Sequence, residues 1–496
     1  RNRAAAQPRP FSKNVLPVSY LIIFVLTFLA GYLGWIWFLN RGEIPFDFHD
    51  WAEVNAPRLA FIQDAVRSGQ FPLHMPDTSA LRGVTDRYFA LPDVLWTPQL
   101  ILLKWLSVGE FVLVHFLILY AIGFVGLVRL ARRFKLSPDL FIVLFLIFTF
   151  NGHMLAHISV GHVTWGGTFL FPWFILWVYE LYDLERVSWS WSLKVAALLF
   201  AVFLQGSFHQ FVWALIFLIL AVPTLWASRR PDLGKIRAVF FAGLFSVALS
   251  LFRILPVTLG LGGFDDDFLG GYRSISQLVR AFLRHVPPSD SLNRAVTGGT
   301  LGWWEYDMYI GFALAALLLT LTVLRAGELV RARRFPRILI PIVGMSSLAV
   351  GNVYALLRAL PVPLFSGERV SSRFLILPFL FFMVEALRAH GPEAGTEGRG
   401  AKIWPWGFAL LTAIGAGELF AEARAWRVGE AVRAFPVTVT DLSIKIVANR
   451  ADPVYFRALW IGAGITLLTA AVMTLGFFVD PSRNKSVRSI QPNEQA

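Results

Sequence analysis

Long apolar runs separated by short polar or basic stretches dominate the chain. A helix needs roughly 20 residues to cross a hydrocarbon layer of about 30 Å. Twelve runs are read as crossings: 15–40, 110–130, 138–152, 168–184, 193–208, 210–227, 236–256, 309–325, 336–356, 373–389, 403–421 and 457–479. The pattern predicts an all-α integral membrane domain over 15–480, with polar tails at 1–14 and 481–496 and two large loops at 41–93 and 257–305. Each loop carries an amphipathic segment. In the first, Asn55 and Pro57 open a helix, Leu59, Ile62 and Val66 fall at i, i+3 and i+7, and Gly69 and Pro72 stop it. In the second, over 274–285, Ile275, Leu278 and Phe282 oppose Gln277, Arg280 and Arg284. Both are expected to lie at the membrane surface.

Composition and charge sharpen this picture. The chain of 496 residues is 56% hydrophobic and only 16% charged, whereas soluble domains run about 45–50% and about 25%, so a large soluble domain is excluded. Segments 1–14, 129–135, 183–194, 228–237, 325–337, 388–402 and 481–496 hold 25 Lys and Arg in 87 residues, against 16 in the 180 residues of the alternate connections. That bias predicts both termini in the cytoplasm and the two large loops outside. The net charge of +13 is therefore a topology signal, and no nucleic-acid partner is expected. Run 15–40 is too long, and lacks the small-residue cleavage site, for a removable signal peptide. No cysteine is present, which removes disulfides, thiolate metal sites and cysteine nucleophiles. No Gly-rich loop ends in Lys-Ser/Thr, and Gly260-Leu-Gly-Gly opens no dinucleotide-binding unit. Gly123 and Gly126 are read as close helix packing.

The first loop concentrates Glu43, Asp47, Asp50, Glu53, Asp64, Asp77, Asp86 and Asp93. Its stretch Asp50-Trp-Ala-Glu-Val-Asn-Ala-Pro57, then Phe61, Arg67-Ser-Gly-Gln-Phe-Pro-Leu73 and Pro76, resembles the first external loop of the YfhO-like bacterial membrane proteins of the GT-C glycosyltransferase superfamily. Further similar segments are Phe150-Asn-Gly-His-Met, Gly161-His162, Phe171-Pro172-Trp173, Glu305-Tyr-Asp-Met-Tyr-Ile-Gly311 and Arg369-Val-Ser-Ser-Arg373-Phe374. They spread over the first 375 residues, and little similarity follows Leu375. The resemblance implies a GT-C-like fold in the bacterial inner membrane. It also implies transfer of a sugar from a polyprenyl-phosphate donor to the hydroxyl of a lipid or glycan acceptor on the outer face.

That chemistry needs a carboxylate to accept the hydroxyl proton and cations for the departing phosphate. By the resemblance Asp50 is the base and Asp47 its support, although either acid can equally be a solvated turn residue. Arg369 and Arg373, with Arg358 nearby, would grip phosphate bidentately. Glu305 and Asp307, set among Trp303, Trp304 and Tyr306, together with Arg58, His157 and His162, are further substrate-binding candidates. An aromatic belt with ordinary loop acids explains the Trp-rich segment as well. His153 and His157 share a helical face, yet spacing fixes no third ligand, so no metal site is assigned and a divalent Mg or Mn ion stays open. Asp265-Asp266-Asp267 reads as a solvated turn. Arg253, inside an apolar run, is either functional or snorkels to the headgroups. Two other classes remain: a lipid or polysaccharide transporter, and a non-catalytic envelope scaffold. The lack of paired, interrupted helices in two halves speaks against the transporter.

Overall fold

A computed structural model describes residues 18–47, 49–75, 86–185, 187–227, 230–260, 270–285, 301–358, 368–390, 400–431 and 451–479. Both tails, Pro76, Asp77 and Asp265–Asp267 lie outside these residues. The helices are α1 (Val18–Phe38), α2 (Ala56–Ser68), α3 (Val108–Phe134), α4 (Pro138–Phe150), α5 (Gly152–Ser159), α6 (Phe171–Asp183), α7 (Trp189–Leu204), α8 (Phe208–Ala221) and α9 (Leu233–Leu249). They continue as α10 (Leu251–Gly260), α11 (Ile275–Leu283), α12 (Phe312–Arg331), α13 (Leu339–Leu348), α14 (Gly351–Arg358), α15 (Ile376–Leu387), α16 (Gly400–Ala425) and α17 (Pro453–Val479). One two-stranded β-ribbon, Trp226–Ala227 with Arg230–Pro231, interrupts them.

The chain is an all-α membrane protein. Among the described residues, five helices are long and apolar enough to cross a bilayer, or six if the pair α9–α10, bent by 67°, counts as one. Helices of 10–17 residues such as α7 and α13 are apolar but short of that length. The lipid-facing character of the long helices is direct. On α1, Leu21, Ile22, Val25, Leu26, Leu29 and Leu33 are exposed, and on α17 so are Trp460, Leu467, Leu468 and Leu475. Surfaces of that kind are at home only in hydrocarbon.

Local chemistry sets the helix ends. Ser107 and Glu110 form a reciprocal capping box that starts α3. Pro138 and Pro172 occupy first-turn positions of α4 and α6, where the missing N–H costs nothing. Asn151 serves two helices, its amide donating to Ile147 O and Phe148 O at the end of α4 while its oxygen accepts from Met154 N at the start of α5. Gly123 and Gly126 do mark close packing: a Cβ would strike Phe169 at one and Pro172 at the other.

The predicted loop helix exists as α2, but two expectations about it are corrected. Residues 51–55 form a π-helical turn, so the Asn55 side chain does not cap α2 and instead donates to Asp50 O (2.8 Å) and Gly161 O. Nor does α2 rest on a membrane surface by one face: Arg58, Leu59, Phe61, Ile62 and Ala65 are all buried. The second segment forms α11, where Ser274 accepts from Gln277 N.

The basic segments meet at one end. Arg133 pairs with Asp183 at 2.6 Å, Lys235 donates to Tyr182 O, Arg337 to Trp226 O, and Glu385 holds Arg325 and Arg388. Helix α15 runs from Arg373 to this end, a rise of about 1.5 Å per residue that keeps its two polar termini apart. Arg253 neither snorkels nor faces a cavity. Fully buried at the α9–α10 bend, it donates to Leu91 O at 2.9 Å and Pro92 O at 2.8 Å, tying the end of the first loop to the bundle.

Candidate functional site

The first loop reaches the bundle through backbone contacts that demand glycine. Asp50 N donates to Val160 O at 3.2 Å and Trp51 Nε1 to Ser159 O at 2.8 Å. Between these, Gly161 adopts φ +100°, and a Cβ there would collide with the Asp50–Trp51 peptide. Any larger residue would lift the loop off the turn that follows α5.

That docking puts Asp50 beside two imidazoles. His162 Nε2 lies 3.0 Å from Asp50 Oδ2 and His49 Nδ1 3.2 Å from Oδ1. His162 Nδ1 in turn lies 2.6 Å from Nδ1 of His157, which is one turn from His153 on α5. His157 Nε2 faces Glu305 Oε2 at 3.9 Å. Glu305 receives both arms of Arg373, from Nε at 2.7 Å and Nη2 at 2.6 Å. Arg373 Nη1 is 3.7 Å from Glu368, and Glu368 holds His209 at 2.8 Å. Trp165 floors the row: the Arg373 guanidinium sits 5.0 Å over its ring, and His157 stacks on it at 4.4 Å. The result is a buried chain of alternating carboxylates and cation-bearing groups drawn from the first loop, α5, the 303–305 turn and the 371–375 turn.

Electrostatics follow from these neighbours. Burial pushes the Asp50 carboxyl up, but hydrogen bonds and charge from His162 and His49 outweigh it and hold the group well below the usual carboxylate range. The same contest, won by Arg373, lowers Glu305, and His209 with Arg373 lowers Glu368 to about 2. For His49, burial lowers the value while Asp50, then Glu53 and Glu305, raise it further, leaving it above its ordinary 6.5.

The sign of the pH effect is set by these directions. A histidine raised on folding contributes stability that is complete below pH 6.5 and fades as pH climbs through its folded value; Asp50 contributes above pH 3.8 and fades as pH falls through its own. Melting temperature in detergent is expected to decline on the alkaline side of pH 6.5, and His49→Gln to flatten that decline. An unchanged slope in the variant would exclude His49 as its source.

Other candidates lie elsewhere. Asp47 is exposed in a turn and has no place in the buried row. Arg58 pairs with Asp93 at 2.9 Å, inside the loop, because α2 turns that face inward. Asp307, only two residues from Glu305, faces the opposite way. It accepts from Tyr309 N and Trp426 Nε1, and burial followed by the Glu422 charge pushes its carboxyl well above the ordinary range. Arg369 is partly exposed at the adjacent turn, its carbonyl accepting from Gly270 N. Arg373 is committed to two carboxylates, which removes it as a loose phosphate clamp. His153 accepts from Trp165 Nε1 at 3.0 Å and does not pair with His157 as a ligand couple.

No family model, curated protein or solved structure matches the chain. Glu368 and Trp165 were not legible as site members, since no spacing links residues 165 and 368; His209 stood out only as one of the histidines at the mouth of the bundle. His157, His162 and Glu305 offer ligand atoms all within 4.8 Å of one another, a set that leaves out His153, the partner that helical spacing gave His157. Surface cavities among the described residues include one of about 400 Å³ lined by Glu43, Gln63 and Arg67, and one of about 520 Å³ at the basic end lined by Lys235, Arg325, Arg334 and Arg337. Asp50 lines neither.

Proposed function

We propose that this chain is a GT-C-type, YfhO-like glycosyltransferase of the bacterial inner membrane with twelve crossings, both termini cytoplasmic and the Asp50 end outside. In this reading it moves a sugar from a polyprenyl-phosphate donor to a lipid or glycan acceptor. One observation carries the reading: an ionised aspartate from the first loop, joined to imidazole, sits at the end of the bundle opposite the basic segments.

The acceptor oxygen attacks the anomeric carbon as the carbon–oxygen bond to phosphate breaks. The lipid phosphate leaves with that electron pair, and the hydroxyl proton passes to Asp50, which His162 at 3.0 Å and His49 at 3.2 Å hold in place. Arg369, at the rim, is assigned the phosphate, and Arg373 the task of holding Glu305. The short helices α6, α7, α8, α13 and α15, with the longer α16, supply the crossings beyond the five long apolar helices and the bent α9–α10 pair, aided by bundle packing.

The test is mass spectrometry of lipids that copurify in mild detergent, followed by incubation with radiolabelled lipid-linked sugar. A prenyl-phosphate sugar in the purified protein, and label moved to an acceptor, are the expected results. Bound lipid translocated in vesicles with no bond made or broken would replace this reading by the transporter.

A further inference from the structure

The row from Asp50 to Glu305 has room for one more positive charge. It runs Asp50, His162, His157, Glu305, with His162 Nε2 3.0 Å from Asp50 and Nδ1 2.6 Å from Nδ1 of His157. Two neutral imidazoles fill these two junctions with one proton each, which leaves His157 Nε2 bare and facing the Glu305 carboxylate at 3.9 Å. His157 is fully buried, and its Nε2 has no hydrogen-bond partner among the described residues.

We propose that His157, His162 and Glu305 bind one divalent transition-metal ion, of the zinc class, with a position left open toward substrate. The ligand atoms already lie within 4.8 Å of one another. Metal–nitrogen bonds of about 2.0–2.1 Å set tetrahedral ligands roughly 3.3 Å apart, so ligand atoms spread over as much as 4.8 Å draw together on binding, with Glu305 coming in from the Nε2 side of His157. Imidazole donors select zinc, iron, nickel or copper over magnesium, calcium and manganese, which prefer oxygen shells. The outer partners are those a metal site needs. With Nδ1 of His162 on the ion, its Nε2–H donates to Asp50, and Arg373 braces Glu305 through two hydrogen bonds. Asp50 and Arg373 are thus positioning residues for the ion.

This inference does not rest on the sugar-transfer reading, and its test reads binding alone. The full-length protein, purified in detergent and stripped with EDTA, is titrated with Zn²⁺ by calorimetry and with Co²⁺ by visible absorption. One equivalent per chain, with the intense bands of four-coordinate Co²⁺, is expected. His157→Gln and His162→Gln should each remove the spectrum, and Asp50→Asn should weaken binding about 10–100-fold. His285→Gln, at a side chain that pairs with Glu422 away from the row, should leave it unchanged. Less than a tenth of an equivalent in the wild-type protein, or equal uptake by the His157→Gln/His162→Gln double variant, would overturn the proposal. So would a Co²⁺ spectrum of six-coordinate type. In the first case a shared proton is the missing charge. Because the decisive arm uses wild-type protein, misfolding of a variant cannot mask the answer.

Discussion

Asp50→Asn is expected to lower sugar transfer by about 10²–10⁴-fold, the range for losing a positioned acid–base group, while expression is retained and detergent stability falls only by the share its ionised carboxylate contributes. Asparagine keeps the size of the side chain and can still bond to His162 and His49, which lie 3.0 and 3.2 Å away. What it loses is the negative charge that orients the imidazole and balances the proton taken from the acceptor. The measurement is single-turnover transfer of radiolabel from lipid-linked sugar by purified protein. Equal rates in variant and wild type would remove Asp50 from the mechanism and leave it a loop anchor.

Arg373→Met should be the most destabilising single change in this region. Both arms of the guanidinium are spent on Glu305, and Glu368 lies at 3.7 Å. All three side chains are buried. Removing one partner of such a network strands the other charges and costs about 3–5 kcal/mol, seen as a lowered melting temperature in detergent. Adding Glu305→Gln and Glu368→Gln should recover most of the loss, because the uncompensated charge goes with the arginine. A triple variant no more stable than Arg373→Met would show that lost packing on Trp165 is the cause.

The buried row also explains which candidate residues were found and which were misplaced. Asp50, His157, His162, Glu305 and Arg373 converge, and each sits next to a local signal: the acidic loop, the Asn-Gly-His turn, the Trp-rich segment. Glu305 and Asp307 differ by two residues and belong to different environments, one braced by Arg373, the other shared with Glu422 and Trp426. A 3₁₀ turn at Trp303–Glu305 separates their directions, and neither composition nor the apolar pattern encodes which way such a turn points. Arg58 looked available because its helix was expected at a surface; burial of α2 handed it to Asp93.

Hydropathy and charge by themselves determined that this chain is helical and belongs in a membrane, because both are sums over neighbouring residues: enough consecutive apolar side chains to satisfy hydrocarbon, and basic segments between them. They also marked the loop that bears Asp50. Only the tertiary structure decided that Asp50 meets His162, that Arg373 is spent on two glutamates, and that Glu305 stands opposite His157. Those pairings join residues from 50 to 373 along the chain, and they arise from a left-handed glycine at 161 and close helix packing, which act through space and leave no period in the sequence.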